Sequence, residues 1–289
     1  MRTAPWTPLA ITIAVAIAIG TLAPRLNAQT ADDAKATNPP SIEEIITRAN
    51  QASYYRGADG RAQVKMTITD AQGRERQRRF TILRRDTPAP ADAKEQGDAY
   101  TGEQQFYLYF TRPSDVNRMG FLVHKHLDRD DDRWLYLPAL DLVKRIAASD
   151  KRTSFVGSDF TYEDVSGRRT TDDTHTLREV TEHYYVVDNV PVDPKSVEFA
   201  KYTVWIHKDT FLPVKSEYVD AAGKVIRTYA ALAVETIGGH ATVTKSSMKD
   251  ERTGSTTVLE YSDVEYDIGL PEEVFTERSL RTPPRKWLK

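Results

Sequence analysis

The 289-residue chain contains no cysteine. Disulfides, thiol catalysis and thiolate metal sites are therefore excluded, and so is a lipid-modified N-terminal cysteine. There is no Gly-rich phosphate loop: "GADG" and "IGGH" read as simple turns. There is no G-x-S-x-G elbow and no H-E-x-x-H pair. No fixed-period repeat is visible. Charge of one sign is also lacking: 40 Lys+Arg stand against 42 Asp+Glu, a net of -2. The molecule as a whole thus has no strong electrostatic pull toward nucleic acid or anionic membrane.

One long apolar run is present, "LAITIAVAIAIG" at 9–20. It follows Arg2 and precedes "TLAPRLNAQT", the pattern of a secretory signal peptide, too short for a comfortable membrane span. Residues 1–28 are expected to be cleaved after Ala28, exporting the chain without a lipid anchor; the alternative is an uncleaved anchor, since Leu26 stands where Ala is more usual. Loss of Arg2 and Arg25 would leave 38 basic against 42 acidic residues, a charge of -4. Residues 29–40, "QTADDAKATNPP", read as a flexible polar linker, and 41–289 as a single domain. Hydrophobic content of 39% and charged content of 28% fit a globular chain.

A helix is expected at about 41–55. Ser41 and Glu44 have the spacing of a capping box, Ile42, Ile45, Ile46 and Ala49 form one stripe, and Gly57 ends it. From residue 61 the period changes to two. Val64, Met66 and Ile68 alternate with polar residues, "DAQGRE" turns, and Phe80 and Ile82 share a face of the returning strand. "EQQFYLYFTRP" places Phe106, Leu108 and Phe110 on one side. "MGFLVHKHL", "RWLYLP" and "LVKRI" follow. "EVTEHYYVV", "VEFAKYTVWIH", "LPVKSEYV", "KVIRTYAALAVETI", "ATVTKSSMKD" and "STTVLEYSDVEYDI" also read as strands. The total is about ten or more antiparallel strands with two or three helices, and no alternation that would make a parallel α/β sheet. The fold class is mainly β: a large curved antiparallel sheet with a helix against one face. By pattern alone a filled core is the simpler reading and an apolar cleft the alternative.

Several motifs have a bland and a sharp reading. His124 and His126 share a strand face and could grip a metal with Asp128 or Asp130; two histidines at a strand end are more often structural. "DRDDD" lacks the glycine and distal glutamate of an EF-hand and reads as a solvated turn. "RERQRRFTILRR", 74–85, carries six arginines against one glutamate. It is a solvated strand face or a patch for lipid headgroups or an acidic partner; an exported chain meets little nucleic acid. "SFVGSDFTYEDV", 154–165, sets Asp159, Glu163 and Asp164 among Phe155, Phe160 and Tyr162. The carboxylates could serve acid/base chemistry, as in a glycosidase. The structural alternative has Gly157 allowing a tight turn, Ser158 and Asp159 capping a short helix, and the aromatics anchoring it.

"FYLYFTRPSDVNRMGFLV" and "DDRWLYLPALDLVKRIAASDKRTSFVGSDFTYEDV" resemble the outer-membrane lipoprotein-sorting protein family, itself similar to the LolA/LolB carriers. The likeness covers roughly 41–280 and is strongest at 100–165. It implies an unclosed β-barrel wrapped over helices, a periplasmic location, an apolar cavity for a lipid or lipoprotein acyl chain, and an RND/MMPL-type export protein as partner. It implies no catalytic residue, cofactor or metal, and makes 154–165 a structural signature. Strand parity makes Val64, Met66, Ile68, Phe80, Ile82, Phe106, Leu108, Phe110, Val123, Trp134 and Tyr136 the expected cleft lining, subject to one-residue slips. Two other roles stand beside the carrier: a periplasmic adaptor that binds no lipid, and, more distantly, a hydrolase using Asp159 and Glu163.

Overall fold

The computed structural model describes residues 39–87 and 103–289. The leader read at 1–28, nearly all of the linker and most of the polar loop at 87–98 lie outside the described residues. Residues 40–289 form one compact unit.

The first element is helix α1, Ile42–Tyr54. The Ser41 side chain accepts from the Glu44 amide at 3.1 Å, satisfying one of the free N–H groups of the first turn. Ile45 and Ala49 are buried and Ile42 and Ile46 partly so. They meet Tyr185, Val187, Ile206 and Phe211. The isoleucine stripe is thus the docking face.

Thirteen strands follow: β1 Asp59–Thr69, β2 Glu75–Asp86, β3 Gln104–Arg112, β4 Gly120–Lys125, β5 Asp132–Leu137, β6 Leu142–Arg145, β7 Asp173–Val180, β8 Tyr184–Pro191, β9 Lys201–His207, β10 Pro213–Val219, β11 Val225–Ile237, β12 His240–Asp250 and β13 Ser255–Tyr266. They form one sheet in the order β6-β5-β4-β3-β2-β1-β13-β12-β11-β10-β9-β8-β7. Every ladder is antiparallel, and β6 and β7 stay unpaired with each other, so the barrel does not close. Two short helices complete the set, α2 Tyr162–Ser166 and α3 Glu277–Arg281.

The β1–β2 turn shows how local chemistry sets the register. Asp70 Oδ1 accepts from the Gln72 and Arg74 amides at 3.0 Å each, and Gly73 takes a φ of +77°. That is an Asx-type turn closed by the one residue that enters the left-handed region freely. One expected strand is split. "EVTEHYYVV" breaks at Glu182–His183, because the Thr181 hydroxyl accepts from the Tyr184 amide at 2.9 Å and reverses the chain there.

The sheet buries both faces of its first arm. Phe80, Phe106, Leu108, Phe110, Phe121 and Val123 look inward and pack on Phe155, Phe160 and Tyr162. Leu83, Tyr107, Leu122 and Tyr136 look outward and are covered by the C-terminal segment through Leu270, Val274, Phe275 and Leu280. That segment is a strap: the Tyr107 hydroxyl donates to Ser279 O at 2.8 Å, and Leu288 O accepts from Thr81 Oγ1 at 3.2 Å.

Candidate functional site

Residues 154–165 form a plug seated against the inner face. Phe155 and Phe160 bond back to back, Phe155 N to Phe160 O at 2.8 Å, around Gly157 at a φ of +77°. Ser158 Oγ donates to Phe155 O at 2.7 Å. The Phe155 ring centroid lies 5.4–6.4 Å from those of Phe80, Phe110, Phe121 and Tyr162. Two arginines of the basic strand hold the turn from outside: Arg78 Nε donates to Val156 O at 3.2 Å and Arg76 Nη2 to Gly157 O at 3.4 Å. The arginine-rich run is therefore partly committed to internal structure.

The three carboxylates have three separate sets of partners. Asp159 accepts from the Ser255 hydroxyl and from Thr257 Oγ1 on β13. Glu163 lies 3.1 Å from Arg152 and 3.3 Å from Lys151. Asp164 pairs with Arg227 and accepts from the Thr161 amide at 2.6 Å. The helix cap differs from the expected one. Thr161, not Ser158 or Asp159, is the N-cap of α2, in a reciprocal capping box with Asp164. Asp159 is drawn away because the hydroxyls of β13 reach it first.

Between this plug, the end of α1 and the sheet lies a cavity of about 470 Å³. That falls within the range of about 300–1,000 Å³ usual for small-ligand sites. Met66, Phe80, Ile82, Phe106 and Leu108 line it, joined by Met248, Leu259, Phe155, Phe160 and Val165. Val64, Ile68, Phe110 and Val123 belong to the same buried cluster without reaching the cavity wall. Trp134 and Tyr136 are on the wrong face. Trp134 opposes Leu122, and both belong to the outer cluster under the C-terminal strap, while Leu135 opposes Phe121 and looks in. In "RWLYLP" both alternating sets are bulky and apolar, so the pattern carries no sign of which faces the core.

The tyrosines are the part that pattern missed. Tyr54, Tyr202, Tyr218, Tyr229, Tyr261 and Tyr266 all reach the cavity wall. Tyr202 and Tyr218 stack at 4.9 Å, and Tyr202 donates to Asp173 at 2.8 Å. Burial pushes the Tyr54, Tyr202, Tyr218 and Tyr261 hydroxyls well above their usual value, and that of Tyr229 up to about 12. At neutral pH they are neutral hydrogen-bonding groups. The wall is thus apolar toward the plug and hydroxyl-lined elsewhere. Beside it, Lys125 is almost fully buried, donates to Ser166 O at 2.7 Å and sits 5.0 Å from the Tyr54 ring. Burial pushes its ammonium down to about 8.

Both histidines of the suggested pair have protein partners. His124 Nε2 lies 2.7 Å from Phe275 O, and His126 bridges Glu103 at 2.7 Å and Asp132 at 3.0 Å. Among the described residues no group of three or more metal-ligating side chains converges. The acidic turn is tied down by basic neighbours, Asp131 to Arg133 at 2.6 Å and Asp130 to Lys151 at 3.3 Å. Among the described residues no helix is long and apolar enough to cross a membrane.

A family model described as "uncharacterized protein" matches residues 102–282. A DUF1329 family protein from Desulfovibrio piger superposes with a TM-score of 0.72 at 28% identity, covering 82% of this chain and 97% of that one. A putative outer membrane lipoprotein-sorting protein domain from Vibrio parahaemolyticus gives 0.69 at 28% identity, with the same coverage of 82% and 97%. The chain belongs to the family of the model that matches residues 102–282, and its solved neighbours are DUF1329 and outer-membrane lipoprotein-sorting proteins. A LolA superfamily protein from Nitrosomonas europaea shares the fold, with a TM-score of 0.61 at 20% identity over 83% of this chain and 99% of that one. A search of curated proteins finds no match. The LolA-like architecture accounts for the open sheet wrapped on α1 and the plug, and it is this wrapping that leaves the cavity.

Proposed function

We propose that this protein is a periplasmic carrier or accessory protein that holds the acyl chain of a lipid or lipoprotein in the cavity, working with an RND/MMPL-type export protein. The observation that carries this reading is the cavity of about 470 Å³ with an apolar floor of Met66, Phe80, Leu108, Met248 and Leu259. Each methylene taken from water there contributes about 0.8 kcal/mol, so one chain is held firmly yet released to a deeper apolar site. The likeness to a putative lipoprotein-sorting domain supports the same reading. The carboxylates of 154–165 are engaged in structure, which speaks against the hydrolase.

The adaptor alternative draws on one observation. Leu140 and Leu142, beside the free edge of the sheet at β6, are 71% and 44% exposed, a contact surface a transporter could cover. Native mass spectrometry of protein purified gently from envelope extract, with lipid extraction alongside, separates the two. A co-purifying lipid or acylated peptide at defined stoichiometry is expected. A bare mass with no uptake of palmitate would favour the adaptor.

A further inference from the structure

The cavity is built with two chemically different ends, set by strand register. On β1 and β13, Met66 faces Leu259 while Gly60 faces Tyr266. Six residues separate Met66 from Gly60, about 20 Å along the strand. On β12 the same polarity recurs, with Met248 at one end of the wall and Thr242 at the other. Phe155 and Phe160 of the plug line the Met66 end, and Arg56, just beyond α1, lines the Tyr266 end.

Arg56 is unusual among the cations there. Its Nε and Nη2 donate to Ala52 O and Ser53 O, the latter at 3.2 Å, and so cap the last turn of α1. Nη1 has a single long contact, to the Tyr266 hydroxyl at 3.4 Å. Tyr266 in turn lies 2.9 Å from Thr242 Oγ1. No carboxylate of the described residues pairs with Arg56, although several are near. Glu265 is taken by Arg61, Asp86 by Arg84 and Gln104, and Asp267 and Asp59 by backbone amides. Arg84, the neighbouring cation, has four of its five donors filled, by the carbonyls of Tyr54, Arg56 and Gly57 and by Asp86. A guanidinium carries five N–H groups. Arg56 therefore has two left, on a cavity wall, beside the hydroxyls of Tyr266 and Thr242.

We infer that the Arg56 end of the cavity recognises an anionic headgroup, carboxylate or phosphate, of an amphiphile whose single acyl chain runs toward the Phe155 and Phe160 end. This rests on the reading of the cavity as an acyl site and adds which acyl compounds it selects. Two free N–H groups match a two-oxygen acceptor, and charge-assisted bonds at a partly desolvated site are the stronger kind. Thr242 Oγ1 donates to His240 O at 3.1 Å, so the Tyr266 proton goes to Thr242 and the Tyr266 oxygen accepts from Arg56, which aims the guanidinium. Arg56 is the specificity-determining residue and Tyr266 its positioning residue.

The test is displacement of N-phenylnaphthylamine, a neutral apolar fluorophore, from the purified full chain by four sixteen-carbon ligands: palmitate, hexadecyl phosphate, hexadecanol and hexadecylamine. The two anions are expected to bind at least about tenfold tighter than the alcohol, and the amine more weakly still. Their order relative to each other tells a fatty-acid-like head from a phospholipid-like one. Arg56→Gln should bring the anions to within about twofold of the alcohol, and Arg56→Lys should restore part of the difference. Equal displacement by all four ligands in the wild-type protein overturns the headgroup inference while leaving an acyl site. No displacement by any, with the fluorophore itself unbound, overturns the acyl site and the inference together. Because the wild-type comparison already decides, the proposal does not hang on the variant folding; Tyr266→Phe, which leaves the α1 cap intact, provides a second variant and should narrow the preference.

Discussion

Asp159 and Thr257 are bonded in both directions across the sheet. The Thr257 hydroxyl donates to Asp159 Oδ2 at 2.7 Å, and its oxygen accepts from the Asp159 amide at 2.9 Å. Thr257 is fully buried, so its hydroxyl cannot turn to water if Asp159 is lost. Asp159→Ala is expected to lower unfolding stability by about 1–3 kcal/mol in urea titration. Thr257→Val should cost a similar amount, and the double variant less than the sum, because each single change removes the same bonds. Ligand uptake per folded molecule should hardly change, whereas a catalytic Asp159 would lose turnover with stability intact.

Gly167 ends α2 at a φ of +78°, and a Cβ there would lie 2.4 Å from the Tyr54 ring. Gly167→Ala therefore strains the backbone and strikes the cavity wall at once. We expect a loss of more than about 2 kcal/mol and weaker N-phenylnaphthylamine binding, since Tyr54 must move. Calorimetry and fluorescence titration on the same sample check both. Unchanged stability would mean the ring yields freely.

Lys125 gives a pH dependence whose sign follows from its burial. The folded ammonium titrates near 8 and the unfolded one near 10.5. Between those values the unfolded chain holds more protons, so this group makes stability rise with pH from about 8. The buried tyrosines act oppositely: Tyr54, Tyr202, Tyr218 and Tyr261 titrate well above 10 when folded, so stability falls once the unfolded phenols ionise. Wild type should gain stability from pH 8 toward 10 relative to Lys125→Met, and both should lose it beyond. A flat difference between the two across pH 8–10 would contradict the burial of an ionisable amine.

Phe275, 1% exposed, is the centre of the strap on the outer face. Phe275→Ala should cost about 3–5 kcal/mol in thermal or urea unfolding. Below the new transition, binding to the inner cavity should be unaltered, because the two faces share the sheet and not their side chains. A drop in affinity at full folding would couple strap to cavity.

The strands were legible wherever apolar and polar residues alternated. Val64, Met66 and Ile68 against Lys65, Thr67 and Thr69 left one choice of face, and all three apolar residues are buried. The Ser41 cap and the Gly73 turn were legible because each needs a particular residue type at a particular place. Trp134 and Tyr136 were misplaced because a strand buried on both faces has no polar face to mark its outside. The strap that buries them comes from the other end of the chain and leaves no local trace in β5. Arg56 and the cavity tyrosines were missed for a related reason. An arginine just past a helix and tyrosines scattered over α1 and four strands look like surface residues until the fold brings them to one space. Thr161 outcompeting Ser158 as the cap was hidden too, since its advantage depends on Asp164 and the distant Arg227.

The pairing of β1 with β13 has a kinetic consequence. Every other ladder joins strands that follow one another in the chain, and this one joins strands almost two hundred residues apart. Two meanders can thus zip up independently from local hairpins, one from β1 to β6 and one from β7 to β13. Their meeting is the non-local step, slow because a long loop must close before contacts reward it. Met66 and Leu259 sit on either side of that seam and both line the cavity. A half-folded chain therefore has edges and apolar faces but no cavity, and the cavity arises in one stroke with the last long-range contact.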